Sequence, residues 1–283
     1  MDHEDIIGII ELGDIKIKCL IFKINKNNHS EILSTSITPS DGLQNDIVIN
    51  LEKASNAIRL SISDAENKAK ISLKKINVIF EQPDFLCTKF TKHQKIDGSK
   101  IHRHDIEFLL KEAKKQLLLN DKKQSIIHIF NHNYIVDGKF FVEEPIDVYA
   151  DKLSHEMTFV TVPKNNLKNI NQIFNNCDIE IEKLISRTFS LGVNLFKTKD
   201  LQFGSILINI EFKKTSLGIF KNLALVHSIT LPIGIDHIVN DISKVCSLNT
   251  EESKNISEDI DFLFNNIQKP FDNDNYLKNS YFI

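Results

Sequence analysis

Two stretches of this sequence begin with the same arrangement of apolar runs around a short polar turn. In the first, the apolar residues 6–10 are followed by a turn-like segment, 11–14, and then by a β-rich run, 15–22. Strand-like runs at 204–210, 214–220 and 223–231 form a closely similar series. Apolar, β-branched runs bounded by turn residues are typical of hairpins. We therefore expect two blocks that each begin with a β-hairpin.

The first block continues as an alternation of strands with one helix. A strand is predicted at 31–38, a helix begins after Asn50, and another strand occupies 75–80. Asn is a favoured residue at the N-cap of a helix. The predicted helix has one apolar face, formed by Leu51, Ala54, Ile58, Ile62 and Ala65. The element order of this block is thus β-β-β-α-β.

The middle of the chain is predicted to form a small α+β unit inserted into a larger domain. It has a strand at 85–95, a helix around 106–117, a strand at 125–130, a polar connection through Asp137 and a strand at 156–162. The elements predicted after it are helices at 167–174 and 189–196, a strand at 180–185, and helices at 236–245 and 251–267.

Composition and charge exclude several classes of protein. The chain has 283 residues and 32.5 kDa, with 41% hydrophobic and 26% charged residues, as is typical of a globular protein with a sizeable core. The formal net charge of −3 does not indicate a nucleic-acid surface, so no nucleic-acid partner is expected.

The predicted location is cytoplasmic. Residues 1–5 are acidic where a signal peptide needs positive charge, and no apolar run approaches the ~20 residues that span a bilayer. Cys19, Cys87, Cys177 and Cys246 are widely spaced, which indicates neither a disulfide framework nor a zinc site, and no catalytic thiolate.

Particular motifs resemble one known family. Residues 7–21, Ile7-Gly-Ile-Ile-Glu-Leu-Gly-Asp-Ile-Lys-Ile-Lys-Cys-Leu-Ile21, resemble the first phosphate segment of the bacterial cell-division protein FtsA. The inserted block resembles that family's own insertion at 103–107, at 127–137 and at 151–157. The resemblance covers essentially the whole chain. It implies an α/β, actin-like (ribonuclease H-like) ATPase fold with an inserted small α+β subdomain.

The resemblance also implies a division of the chain. Residues 1–84 are expected to begin the first actin-like subdomain, 85–162 to form the inserted module, and 163–200 to return to the first subdomain. Residues 201–283 are expected to start a second actin-like half that is incomplete, so that the chain looks C-terminally truncated.

The implied cofactor is ATP with Mg²⁺, held first at the turn after the opening strand. Gly13 allows the backbone to approach a phosphate, and the backbone N–H groups around Asp14, Ile15 and Lys16 can point at the anion. Glu11 is the implied magnesium acid, acting through water, and the alternative is a strand-end acid without a ligand.

The second phosphate segment departs from the family pattern. The family has an Asp-apolar-Gly-Gly-Gly-Thr stretch, whereas this chain has Asn209-Ile-Glu-Phe-Lys-Lys-Thr-Ser216. Lys213, Lys214 and Thr215 could contact phosphate, but a Lys pair at a strand turn is more typical of a solvated tip. Nucleotide binding is expected to be weakened, and we do not expect hydrolysis, because bulky residues replace the glycines.

The function implied by the resemblance is that of a cell-division adaptor. Its implied partners are FtsZ and other divisome proteins, with self-association into filaments through the inserted module. Its implied place is the inner face of the cell membrane at the division site, reached indirectly or through a C-terminal helix that this sequence lacks. The alternatives are a cytosolic scaffold of pilus assembly with the same fold, and an actin-fold ATPase or kinase.

Other residue patterns favour structural roles. The pairs His102 with His104 and His128 with His132 could face one side as metal ligands, but no carboxylate or Cys completes a set, so solvated or core-edge histidines are favoured. The paired aromatics at 140–141 favour a core position over a partner-binding tip.

Overall fold

A computed structural model describes residues 5–25, 29–141 and 143–257. The strands are β1 Asp5–Glu11, β2 Lys16–Ile24, β3 Ser30–Pro39, β4 Leu43–Gln44, β5 Ile47–Val48, β6 Lys75–Phe80, β7 Leu86–Lys100, β8 Gln124–Val136, β9 Lys139–Phe141, β10 Tyr149–Pro163, β11 Glu180–Ser186, β12 Ser205–Ile210, β13 Thr215–Lys221 and β14 Ala224–Leu231. The helices are α1 Leu51–Ala69, α2 Arg103–Asn120, α3 Lys164–Asn176, α4 Arg187–Leu195, α5 Thr198–Phe203 and α6 Ile235–Cys246. Residues 250–257 are also helical, and the rest of the helix predicted at 251–267 lies outside the described residues.

The opening hairpin belongs to a five-stranded sheet with the order β11-β6-β1-β2-β3. Strands β1, β2 and β3 pair antiparallel, whereas β6 is parallel to both β1 and β11. Alternate residues of β2, Ile17, Cys19 and Ile21, are buried because one side of this strand faces the main hydrophobic core. The predicted β-β-β-α-β order of the first block is therefore observed, with a short β4–β5 hairpin in addition.

Helix α1 begins where the sequence predicts. The side chain of Asn50 caps it by accepting a hydrogen bond from the Lys53 N–H at 3.0 Å. Gly42, in the loop before the helix, has φ +75°, and a Cβ there would lie 2.5 Å from the Ala54 nitrogen. Only glycine fits this loop without strain, because an L side chain is disfavoured at that φ and would also clash.

The inserted block forms a second sheet with the order β7-β10-β8-β9, covered by α2. Strand β8 runs to Val136. The sequence predicts a polar connection after residue 130, and this prediction is wrong for residues 131–136. Tyr134 and Val136 are buried at alternate positions, and the strand continues because these two side chains enter the core beneath α2. Phe140 is 71% exposed, which overturns the core prediction for it, whereas Phe141 packs against that core.

The third sheet, β12-β13-β14, carries the second hairpin block. Its inner residues Leu207, Phe220 and Leu225 pack with side chains from α4 and α5. Helix α5 has no counterpart in the sequence prediction.

The chain divides into two compact units. Unit 1 comprises Met1–Ile208 and Ser216–Thr230, and unit 2 comprises Asn209–Thr215 and Leu231–Ile283. The four-part division into 1–84, 85–162, 163–200 and 201–283 remains a prediction.

The close packing of α4 on β13 predicts an unusual response to a helix-stabilising substitution. A Cβ at Gly192 would lie 2.0 Å from Cζ of the buried Phe220. Gly to Ala inside a helix ordinarily stabilises by roughly 0.5–1 kcal/mol. Here we expect Gly192→Ala to lower the free energy of unfolding by about 1–3 kcal/mol, because the core is overpacked.

Chemical denaturation measures this effect. The exposed Asn194→Ala in the same helix is the matched control and should be neutral or slightly stabilising. A Gly192→Ala protein as stable as the wild type would show that α4 does not pack on Phe220 in this way.

Candidate functional site

The predicted first phosphate segment is the turn between β1 and β2 in unit 1. Its Leu12 N–H donates to the Ile79 carbonyl at 2.9 Å, which fixes the turn to β6. A Cβ at Gly13 would lie 2.7 Å from the Lys16 carbonyl oxygen, so the turn leaves no room for a side chain. Asp14 is partly buried, and both Ile15 and Lys16 are exposed. The turn therefore has the predicted tight geometry.

Arg187, a residue that the sequence analysis did not select, contacts this turn. Its side chain is only 6% exposed, and its Nε donates to Oε1 of Glu11 at 2.8 Å. A terminal nitrogen of the same guanidinium lies 3.1 Å from Oδ2 of Asp46 and also donates to the Leu12 carbonyl. The other oxygen of Glu11, Oε2, is 3.4 Å from the Lys18 ammonium. The carboxylate of Glu11 thus has a cation on each oxygen.

Asp46 joins the turn to the neighbouring strand. It is fully buried, with φ +55°, in the turn between β4 and β5, where Asn45 also has positive φ. Asn and Asp are the residues that tolerate the left-handed conformation in such two-residue turns. Oδ2 of Asp46 accepts from the Glu81 N–H at 2.8 Å, and the Asp46 N–H donates to Oδ1 of Asp14 at 3.2 Å.

Glu81 holds the beginning of α4. Its Oε2 accepts from the Ser186 hydroxyl at 2.8 Å and from the Thr188 N–H at 2.9 Å. Ser186 in turn caps α4 by accepting from the Phe189 N–H at 3.2 Å. Burial raises the pKa of Glu81, against the opposing effect of these hydrogen bonds and of Arg187. Arg187 is the first residue of α4, so its backbone is positioned by this network.

Strand direction explains why these groups meet. Because β1, β6 and β11 are mutually parallel, their carboxyl ends lie at one edge of the sheet. Glu11 ends β1, Glu81 follows β6 and Arg187 follows β11. The sequence shows a charged residue at or just after the end of each of these three strands, but it does not show that the three strands are parallel neighbours.

The residues around Glu11 do not fit the implied magnesium ion. Magnesium requires carboxylate or water oxygens in near-octahedral geometry. Both oxygens of Glu11 and Oδ2 of Asp46 are already contacted by the guanidinium of Arg187 or by the ammonium of Lys18. Within the described ranges, no group of three or more His, Cys, Asp or Glu side chains is arranged to hold a metal ion.

The predicted second phosphate segment lies in unit 2 and is engaged with its own unit. The Glu211 N–H donates to the Lys214 carbonyl at 2.8 Å. The carbonyls of Glu211 and Phe212 accept from the N–H groups of Ile235 and Asp236 at 3.1 and 2.8 Å. The carbonyls of this turn therefore point at the start of α6, whereas a phosphate needs N–H groups directed at it.

The side chains of the second segment differ in their exposure to solvent. Lys213 is exposed, as a solvated tip requires, but Lys214 is buried, with its ammonium 4.0 Å from Oε2 of Glu211. The solvated-tip interpretation is therefore wrong for Lys214. Thr215 donates to the Ile233 carbonyl at 2.7 Å, and Asn209 donates to Glu211 at 2.8 Å.

The histidines selected in the sequence divide between an exposed position, that of His104, and a packed one, that of His128. The rings of His102 and His104 stack at 5.3 Å, and His128 packs against Phe130 and Phe189. The side chain of His132 lies outside the described residues. Burial raises the pKa of the Cys19 and Cys87 thiols to about 12, which is opposite to the shift of a reactive thiolate.

The partly buried His128 predicts a defined loss of stability in acid. Burial lowers the pKa of His128 to about 4, and its Nε2 accepts from the Ser186 N–H at 2.9 Å. The unfolded chain binds this proton near pH 6.5, so stability falls as the pH decreases from about 6.5 to about 4. Glutamine does not titrate. Over this pH range the free energy of unfolding of His128→Gln should therefore fall by about 2 kcal/mol less than that of the wild type.

Denaturant unfolding at pH 7 and pH 4 gives the comparison. The exposed His104→Gln is the matched control and should behave as the wild type does. Equal acid sensitivity of His128→Gln and wild type would contradict a partly buried, neutral His128.

Comparison with solved structures identifies the fold. The chain superimposes on the PilM-PilN type IV pilus biogenesis complex with a TM-score of 0.62 at 9% identity, covering 92% of this chain and 71% of that one. It also matches the ethanolamine utilization protein EutJ from Carboxydothermus hydrogenoformans, with a TM-score of 0.50 at 9% identity, over 91% of this chain and 62% of that one. The fold is that of the actin-like ATPases, as the sequence predicts.

Sequence comparison finds a domain model and several relatives to which this chain is similar. Residues 87–161 match the family described as the SHS2 domain inserted in FtsA. Cell division protein FtsA of Agrobacterium fabrum is 22% identical over 89% of this chain, and that of Pseudomonas aeruginosa is 23% identical over 89%. The predicted resemblance to FtsA is thus confirmed. This chain spans 58% and 60% of the lengths of these two relatives.

Proposed function

We propose that this chain acts in cell division as an adaptor of the FtsA type. In this role it helps to assemble the FtsZ ring and recruits other divisome proteins at the septum. The observation that carries the proposal is the inserted β7-β10-β8-β9 sheet with α2, because this part of the chain matches the insertion named for FtsA. The actin-like fold alone would not support this role, because one fold can serve many functions.

The proposed place of action is the cytoplasmic face of the cell membrane at the division site. Among the described residues, none of the helices is both long and apolar enough to span a bilayer. The chain reaches the membrane through its partners in this proposal. The alternative, a scaffold of pilus assembly, is supported by the structural match to a pilus complex, but at 9% identity that match concerns the fold.

Binding to FtsZ is the direct test of the role. We expect the purified chain to pellet with FtsZ polymers from the same organism, and a fluorescent fusion to concentrate at the division site. Co-purification with pilus-assembly proteins, with no FtsZ bound, would overturn the proposal and favour the alternative.

Self-association through the inserted module is the second part of the proposal. Phe140 is 71% exposed on β9, the edge strand of the module sheet. Exposed aromatic side chains are frequent anchors of protein interfaces. We expect Phe140→Glu to reduce self-association at least tenfold by sedimentation velocity, since a charge would be placed in the contact; that factor corresponds to about 1.4 kcal/mol.

The matched control for this variant is Phe203→Glu. Phe203 is 80% exposed in α5, outside the module, so the same change there should leave self-association intact. Equal effects of the two substitutions would place the contact elsewhere or show that it is nonspecific.

Nucleotide turnover is not part of the proposed activity. The second phosphate segment has Asn209 in place of the family's Asp and directs its carbonyls at α6. Any ATP contact made by unit 1 would come from the backbone around Gly13 and would be weak. With ATP and Mg²⁺ we expect phosphate release equal to a blank without protein. Steady release that Gly13→Val abolishes would contradict this.

A further inference from the structure

The carboxylate of Glu11, which the family resemblance implies as a magnesium ligand, is paired with the guanidinium of Arg187. Glu11 accepts from Nε of Arg187 at 2.8 Å, and the same guanidinium lies 3.1 Å from Asp46. Asp46 is fully buried, and the side chain of Arg187 is nearly so. A charge buried to this extent is tolerated when it is paired and hydrogen-bonded, as both Asp46 and Arg187 are.

The guanidinium is held before any ligand binds. Glu81 accepts from the hydroxyl of Ser186 and from the N–H of Thr188, the residues on either side of Arg187. The guanidinium also donates to the Leu12 carbonyl within the phosphate turn itself. Contacts at both ends of the residue fix its position, so the side chain is not a mobile surface charge.

A divalent cation would compete directly with this arrangement. To reach Glu11 and Asp46 it would have to lie within a few ångströms of the guanidinium, where two cations repel each other strongly at low dielectric. Arginine cannot lose its proton to relieve this repulsion. Binding of the metal would therefore require displacement of Arg187 from its buried partners.

We propose that Arg187 is a built-in cation that takes the charge-compensating place of a divalent metal at the first phosphate turn. The turn then keeps its conformation without metal or nucleotide. This inference rests on the contacts of unit 1 and not on the proposed role in cell division, so either can fail without the other.

Substitution of Arg187 tests the inference. Arg187→Met keeps an unbranched apolar stem but removes the charge, and Arg187→Lys keeps the charge as the matched control. Without metal, Arg187→Met should have the lower Tm, because Glu11 and Asp46 lose their shared cation. If the freed carboxylates bind Mg²⁺ with a Kd of about 1 mM, then MgCl₂ at about 10 mM should raise the Tm of Arg187→Met by about 3–6 °C.

Wild type and Arg187→Lys should show no such rise, with NaCl of equal ionic strength as the reference. A Mg²⁺-dependent rise in the wild type equal to that of Arg187→Met would overturn the proposal. The absence of any rise in a folded Arg187→Met would do the same, because the carboxylates would then not be a metal position.

A second measurement decides the question if Arg187→Met does not fold. Titration of Mn²⁺ into the wild-type protein, followed by its electron paramagnetic resonance signal with and without ATP, should show the metal unbound by the protein. Binding that Glu11→Gln abolishes would demonstrate a metal site at Glu11 and refute the built-in cation.

Discussion

One buried guanidinium organises the edge of the first sheet at which three parallel strands end. Arg187 contacts Glu11 at the end of β1 and Asp46 in the β4–β5 turn, while Glu81 after β6 positions the helix that carries it. Removing one member of such a network leaves its partners buried and uncompensated, which costs far more than an exposed ion pair contributes. The hairpin turn, the β4–β5 hairpin and the start of α4 therefore depend on the same charge.

The regular elements could largely be predicted because local patterns determine them. The strand at 75–80 and the helix after Asn50 are observed where the sequence predicts them, since an apolar run and an N-cap residue are both local signals. The sequence predicts a shorter β8, because the polar residues 131–133 interrupt its apolar run. In the structure the strand continues through these residues, because it pairs with β10. Pairing partners distant in sequence leave no such local mark.

The candidate site was predictable in part. The tight turn at Gly13 and the departure of the second segment from a glycine-rich pattern are visible in the sequence. The pairing of Glu11 with Arg187 is not, because it joins residues 176 positions apart and depends on the parallel alignment of β1, β6 and β11. Lys214 illustrates the same limit, since it is buried although a Lys pair at a strand turn is typical of a solvated tip.

We propose that Arg187 holds the β1–β2 turn, which resembles a phosphate segment of FtsA, in place as a cation of the protein itself. A crystal structure of the wild-type protein grown with Mn²⁺ and a nonhydrolysable ATP analogue tests this directly, because Mn²⁺ is located by its anomalous scattering. We predict no anomalous peak beside Glu11, with the guanidinium of Arg187 hydrogen-bonded to Glu11 and close to Asp46. A Mn²⁺ peak within metal-ligand distance of Glu11, about 2.2 Å, with Arg187 turned away, would contradict the account.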